Sequence, residues 1–242
     1  MKYSIIIPTL NEEKLLAGIL SQLSAQHLKS DFDLEIIVSD GGSKDSTLNI
    51  ALDYADIIIV HTGNNYQNIA AGRNEGAKFA NGEILFFFDG DVRLEEPIKL
   101  FNFVKNNFEN SNYLAMTTFV SVFPEESNFR DRFFHFCYNH YFQLMNNAGI
   151  GMGRGECHII WKKVFDDLGG YNETFIAGED FDLYRRIRKK GNILYTGKLW
   201  VFESPRRFRK KGYLPVTWMW VKNGLSVWFK NKSISKVWEQ VR

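Results

Sequence analysis

Two cysteines in 242 residues are too few for a disulfide framework. Cys137 and Cys157 also lie at no metal-ligand spacing, so a reduced compartment is expected. No apolar run is long enough to span a bilayer. The best candidate, GYLPVTWMWVKNGLSVWF at 212–229, is broken by Pro215, Lys222 and Gly224. A secretory leader is not expected either, because the apolar stretch after Lys2 stops at Pro8 and reads as a first strand. The dinucleotide fingerprint is missing: Gly149, Gly151, Gly153 and Gly155 do not complete it, since Arg154 and Glu156 stand in the way. That disfavours a dinucleotide-dependent oxidoreductase. His135, Cys137 and His140 fall at i, i+2 and i+5 of a helical segment, which cannot converge on zinc. There is no internal repeat and no low-complexity linker.

What is present is a chain 45% hydrophobic, enough for one sizeable core with a short appendage. Its net charge of +2 is unevenly spread, with +8 in residues 203–242 and −6 in residues 1–202. A basic tail on an acidic body points to an anionic partner. The first half alternates buried strands with helical patterns: YSIIIP, LEIIVSD, DIIIVH and EILFFFDGD are the strands. Strand and helix alternating at these lengths imply an α/β fold with a mostly parallel central sheet flanked by helices. Ligands of such sheets bind outside the carboxyl ends of the strands. Pro8 to Glu12, Asp40 to Ser43 and Asp89 to Asp91 all fall there, so one pocket is expected. The second half is less regular. FRDRFFHFCYNHYFQLMNN reads as an aromatic helix whose Phe133, Phe134, Phe136 and Tyr138 belong to the core or a cleft wall. GEDFDLYRRIRKKG reads as a helix opening on acids and closing on cations.

Asp89 and Asp91 follow a Phe-rich strand at i and i+2, a spacing that turns both carboxylates to one side, with Gly90 leaving room between them. Such a pair suits a hard divalent ion, Mn²⁺ or Mg²⁺, whose shell phosphate oxygens complete. The rival reading is a solvated loop after a strand. A calcium-binding EF-hand is excluded, because Arg93 stands where a ligand is required.

The stretches SIIIPTLNEE, EIIVSDGGSKDST, AAGRNEGAKFANGEILFFFDGDV and GEDFDLYRRI, in that order, resemble glycosyltransferase family 2 over about residues 3–210. The resemblance implies a GT-A fold, a nucleotide-diphosphate sugar donor and inversion at the anomeric centre. It implies that Pro8, Thr9, Asn11 and Glu12 bind the nucleoside, and that Asp40 hydrogen-bonds a base, its carboxylate suiting the N3–H of uracil. Arg73 and Asn74 match the family's diphosphate-side helix start, and Asp89, Gly90 and Asp91 its metal-binding motif. Asp180 matches the catalytic base, with Glu179 as the neighbour that orients the acceptor or the base. Arg206 and Arg207 fall where relatives carry a basic diphosphate motif. Gly153, Arg154, Gly155 and Glu156 read as an acceptor-side loop, with a plain flexible turn as the alternative.

The expectation is therefore a catalytic domain over 1–210 and a basic, amphipathic tail over 211–242. The expected enzyme is metal-dependent, cytoplasmic and free of nucleic acid. It moves a sugar, expected to be uridine-linked, to a glycan or lipid-linked acceptor. Trp218, Trp220, Trp228 and Phe229 beside lysines suit an anionic membrane interface touched by residues 206–242. The tail packing back on the domain is the alternative. A non-catalytic carbohydrate- or membrane-binding module is the rival function. A sugar-nucleotide pyrophosphorylase is disfavoured, since SIIIPTLNEE lacks that class's glycine-rich loop and lysine.

Overall fold

The structure is a computed structural model that describes residues 3–235 and residue 241. Four short apolar runs form the expected parallel strands: β1 (Tyr3–Thr9), β2 (Leu34–Asp40), β3 (Ile57–Val60) and β4 (Ile84–Phe88). Helices α1 (Leu16–Leu23), α2 (Gln26–Phe32), α3 (Thr47–Leu52) and α4 (Ile69–Lys78) connect them. The period of two along each strand divides the core into two layers. Ile5, Ile7, Phe86 and Phe88 face the layer with α1 and α2, while Ile6, Leu85 and Phe87 face the other. Phe86 sits 5.2 Å from both Tyr3 and Phe101, ring centre to ring centre, so the strand is pinned by aromatic packing.

After β4 come β5 (Val92–Leu94), α5 (Pro97–Phe103), β6 (Tyr113–Val122), α6 (Phe129–Asn147), β7 (Cys157–Trp161) and α7 (Lys162–Asp167). The chain continues through α8 (Glu179–Arg188), β8 (Asn192–Glu203), α9 (Arg206–Lys211) and α10 (Tyr213–Lys230). One eight-stranded sheet results, in the order β3-β2-β1-β4-β7-β6-β8-β5. It is mostly parallel, as expected, with two reversed strands: β7 runs against both β4 and β6, and β5 against β8.

That reversal serves the site. Because β7 is antiparallel to β4, its beginning meets the tip of β4, with Phe88 paired to Cys157. Gly155 and Glu156 thereby emerge beside Asp89. At the far edge Val92 pairs with Glu203, and Ser204 N–H donates to Asp91 O at 3.2 Å, which brings the end of β8 to the same place.

The acids Glu12 and Glu13 stand just before α1, and α3 is opened by Asp45, whose carboxylate accepts from Thr47 N–H at 3.0 Å. Along α6, Phe133 and Phe136 are exposed, while Phe134 and Tyr138 turn inward. Beyond residue 210, α10 lies against α6 and α8. Tyr138 stacks on Trp220 at 5.5 Å, and Val227 closes on Gly178. Residues 236–240 and 242 of the expected tail lie outside the described residues. No described helix is long and apolar enough to cross a membrane.

Candidate active site

The strand tips open into one cavity of about 1,410 Å³. Carboxylates outnumber guanidinium groups along its charged floor. Arg73, on the second turn of α4, organises that floor. Fully buried, it donates from Nη2 to Asp89 Oδ1 at 2.7 Å and from Nη1 to Glu179 Oε1 at 2.9 Å. Nη2 also donates to the Gly155 carbonyl at 2.9 Å. One guanidinium thus ties the tip of β4, the start of β7 and the start of α8 together. Arg73→Ala would leave two carboxylates uncompensated in a buried setting, a loss of about 3–5 kcal/mol. Urea unfolding followed by circular dichroism measures it.

Asp180 stands next to this hub. Gly178, with φ +90°, turns the chain into α8, and a side chain there would press on Val227 at 3.2 Å. Asp180 Oδ1 accepts from Phe181 N–H at 2.7 Å. A Cβ on Gly155 would come within 3.3 Å of Arg73 Nη2 and 3.6 Å of Asp180 Oδ2, so glycine keeps the gap between them open. Burial raises the Asp180 carboxyl to about 7, with the Glu179 charge adding to the effect. Asp89 is likewise pushed up to about 7 by burial, against the pull of Arg73. Burial also raises Glu179, again opposed by Arg73.

A second cation of the floor is Arg206. Its Nη2 donates to Glu12 Oε1 and Oε2 at 2.6 and 2.8 Å and to Asp91 Oδ2 at 3.0 Å. Gly90 is tightly placed between these groups: a Cβ there would lie 3.3 Å from Glu12 Cγ. Arg207 lines the same wall.

The structure brings together Pro8, Thr9, Glu12, Arg73, Asp89, Gly90, Asp91, Glu179, Asp180, Arg206 and Arg207 along one cleft. Gly153, Arg154, Gly155 and Glu156 join them, and Arg154 pairs with Glu156 at 2.9 Å. Burial works against the charge on Glu156, but Arg154 outweighs it and holds the carboxyl below its usual range. Three expected residues stand elsewhere. Asn74 locks the Tyr171–Glu173 loop, donating to Tyr171 O at 2.9 Å and to Glu173 Oε1 at 2.8 Å. Asn11, at φ +55°, accepts from Lys44 N–H at 2.8 Å behind the wall. Asp40 is fully buried, its oxygens accepting from Thr9 Oγ1, Ser43 Oγ and the N–H groups of Gly42 and Ser43. All its lone pairs serve the loop, so it shapes the wall instead of facing the cleft. Ser39, one residue earlier, does line the cleft, with its Oγ buried and without a partner.

Glu203 escaped the sequence reading. It lines the cleft, accepts from Arg154 Nη2 at 3.1 Å, and is held well above the usual carboxyl range by burial, with the charge of Glu156 adding to it. The signal was available, since like Asp40 and Asp89 it is an acid at the end of an apolar strand.

Among the described residues no three carboxylate, histidine or cysteine side chains form a ready-made metal cluster. Two carboxylates still fit a divalent ion that draws its remaining ligands from phosphates and water. The excess of acids over arginines around Asp89 and Asp91 is the charge such an ion would relieve.

The chain aligns with an Escherichia coli UDP-Glc:alpha-D-GlcNAc-diphosphoundecaprenol beta-1,3-glucosyltransferase at 28% identity, over 78% of this chain and 71% of the relative. Of other curated relatives it spans a smaller share, from 18% to 67% of their length. Its fold matches a Pyrobaculum calidifontis mannosyltransferase in complex with GDP-Man and Mn²⁺, with TM-score 0.65 and 20% identity over 84% of this chain and 56% of that one. It also matches S. aureus TarS 1–349 in complex with UDP-GlcNAc, with TM-score 0.63 and 17% identity over 98% and 68%. The fold is therefore GT-A. The family model described as glycosyl transferase family 2 matches residues 4–169, and the chain belongs to that family.

Proposed function

We propose that this chain moves a sugar, with inversion, from a uridine-diphosphate sugar to a hydroxyl of a glycan or lipid-linked acceptor. The observation that carries this reading is the Arg73 bridge, through which Asp89 and Glu179 hold the Asp89–Asp91 pair and Asp180 at one floor. Asp180 takes the proton from the acceptor hydroxyl as that oxygen bonds to the anomeric carbon. The bond from that carbon to the diphosphate oxygen breaks on the opposite face, and its electrons leave with the nucleotide. Glu179 holds Arg73, and through it the position of α8. Mn²⁺ or Mg²⁺ held by Asp89 and Asp91 would supply positive charge to the departing diphosphate. Arg206 would exchange its 3.0 Å contact with Asp91 for the diphosphate, beside Arg207.

Uridine is supported by the names of neighbours bound to UDP and UDP-GlcNAc, and by the UDP-Glc donor in the E. coli relative's name. Asp40 contributes by holding the Ser39–Ser43 loop against the base. Thermal shift with UDP-glucose, UDP-GlcNAc and GDP-mannose, each with and without Mn²⁺, tests the donor. A ligand at a hundred times its Kd stabilises by about 2.7 kcal/mol. At roughly 2–4 °C per kcal/mol for a chain of this size, the shift is readily seen. A uridine sugar with Mn²⁺ is expected to give the largest shift. A preference for GDP-mannose would overturn the uridine assignment, and no shift with any sugar nucleotide would overturn the donor reading.

The same proposal places the basic segment from Arg206 onward near an anionic membrane surface. Residues 206–235 carry no acid, and each cation near such a leaflet adds about 1 kcal/mol. Failure to float with phosphatidylglycerol vesicles would remove this part.

A further inference from the structure

The cavity continues past the charged floor as a trench between α6 and α10. From α6, Phe134, Tyr138, Phe142 and Met145 line it, and from α10, Trp220, Leu225 and Trp228. The polar side chains that α10 adds to this wall are already engaged. Thr217 Oγ1 donates to Tyr213 O at 2.8 Å, and Asn223 donates to Met219 O and Ser235 Oγ, each at 2.9 Å. Asn223 Oδ1 accepts from the N–H groups of Ile234 and Ser235 at 3.0 Å. A glycan stacked on these rings would still need free hydrogen-bonding groups for its hydroxyls, and those that α10 adds here are spent.

The outer turns of the same helices carry a matching surface. Phe133, Phe136 and Leu144 are exposed on α6, and Leu214, Trp218 and Phe229 on α10. The charges among them have one sign: Arg130, Arg132, Lys222 and Lys230 are exposed. The single acid of α6, Asp131, is buried beneath Arg209, with contacts of 2.7 and 2.6 Å. This outer face, apolar and cationic, suits an anionic lipid surface lying beside the trench.

We propose that the trench binds the hydrocarbon chain of a lipid-linked acceptor, an isoprenoid or acyl chain attached through phosphate to the sugar whose hydroxyl reaches Asp180. This inference rests on the transferase reading and adds the acceptor's class and the path of its tail. The trench runs into the catalytic floor without a break, so a chain lying in it delivers its head group to Asp180 and the Gly153–Glu156 loop.

Tryptophan fluorescence titrated with monomeric farnesyl phosphate tests it, alongside inorganic phosphate and phosphatidylglycerol vesicles. The expected result is saturable binding of farnesyl phosphate and none of inorganic phosphate. Leu225→Asp, at a half-exposed trench position, should weaken binding at least tenfold, while its Mn²⁺–UDP binding shows that it is folded. Trp218→Asp, on the outer face, should change farnesyl phosphate affinity less than twofold and reduce vesicle binding. Equal affinity in wild type and Leu225→Asp, or response to vesicles alone, would overturn the trench assignment. Farnesyl phosphate binding without any UDP binding would overturn the transferase reading and leave the trench in place.

Discussion

Asp180→Asn is expected to bind the donor as the parent chain does and to transfer sugar about 10²–10⁴ times more slowly, the range that a positioned general base contributes. The amide keeps the size of the carboxyl, and its oxygen can still accept from Phe181 N–H, so α8 keeps its first turn. What it loses is the capacity to hold the acceptor's proton. The parent's pH profile carries the same signature. Asp180 acts only when deprotonated, and burial sets its carboxyl at about 7. With Mn²⁺ saturating, so that Asp89 stays ionised, the parent's kcat/KM should therefore rise tenfold per pH unit below about 7 and level off above. The variant should lack that limb. Steady-state assays from pH 5 to 9, with nucleotide affinity measured in parallel, check both. A variant with normal turnover would leave Asp180 without a role in proton transfer.

Asp91→Ala should abolish the gain in nucleotide affinity that Mn²⁺ provides and lower turnover in step. Metal-derived charge stabilisation is worth several kcal/mol, so the loss in rate is about 10²–10⁴-fold. Asp91 is the cleaner target of the pair. Removing Asp89 would also strip the fully buried Arg73 of its shortest contact and mix a stability defect with the catalytic one. In Asp91→Ala, Arg206 keeps both oxygens of Glu12 and the strand tips keep their packing. Isothermal titration with UDP, with and without Mn²⁺, separates the two effects. An unchanged Mn²⁺ response would place the metal elsewhere.

The parallel half of the sheet was legible because its information is local. Residues 84–88 are apolar without exception, and all five are buried. The acids at strand ends were legible for the same reason, since charge is excluded from such strands and collects at their tips. Direction was harder to read. Nothing in CHIIW says that β7 runs backwards; its pairing with β4 and β6 is a contact between distant segments. Side-chain direction was also harder to read where a polar group hydrogen-bonds within the protein. Asp40 and Asn74 occupy positions that read as ligand-binding, yet their hydrogen bonds close on neighbouring loops. In α6 the aromatics surround the helix, so periodicity could not separate Phe134 and Tyr138, in the cleft, from Phe133 and Phe136, outside it. Glu203 carried the same local signal, an acid closing an apolar strand, and was passed over; its pairing with Val92 across the sheet edge is what brings it to the cleft.

Anomalous diffraction from crystals soaked with Mn²⁺ and UDP addresses the central claim most directly. One manganese peak is expected against the carboxylates of Asp89 and Asp91, with Arg206 turned from Asp91 toward the diphosphate. Nucleotide bound in the cleft with no manganese at those two carboxylates, and Arg206 still on Asp91, would contradict the account.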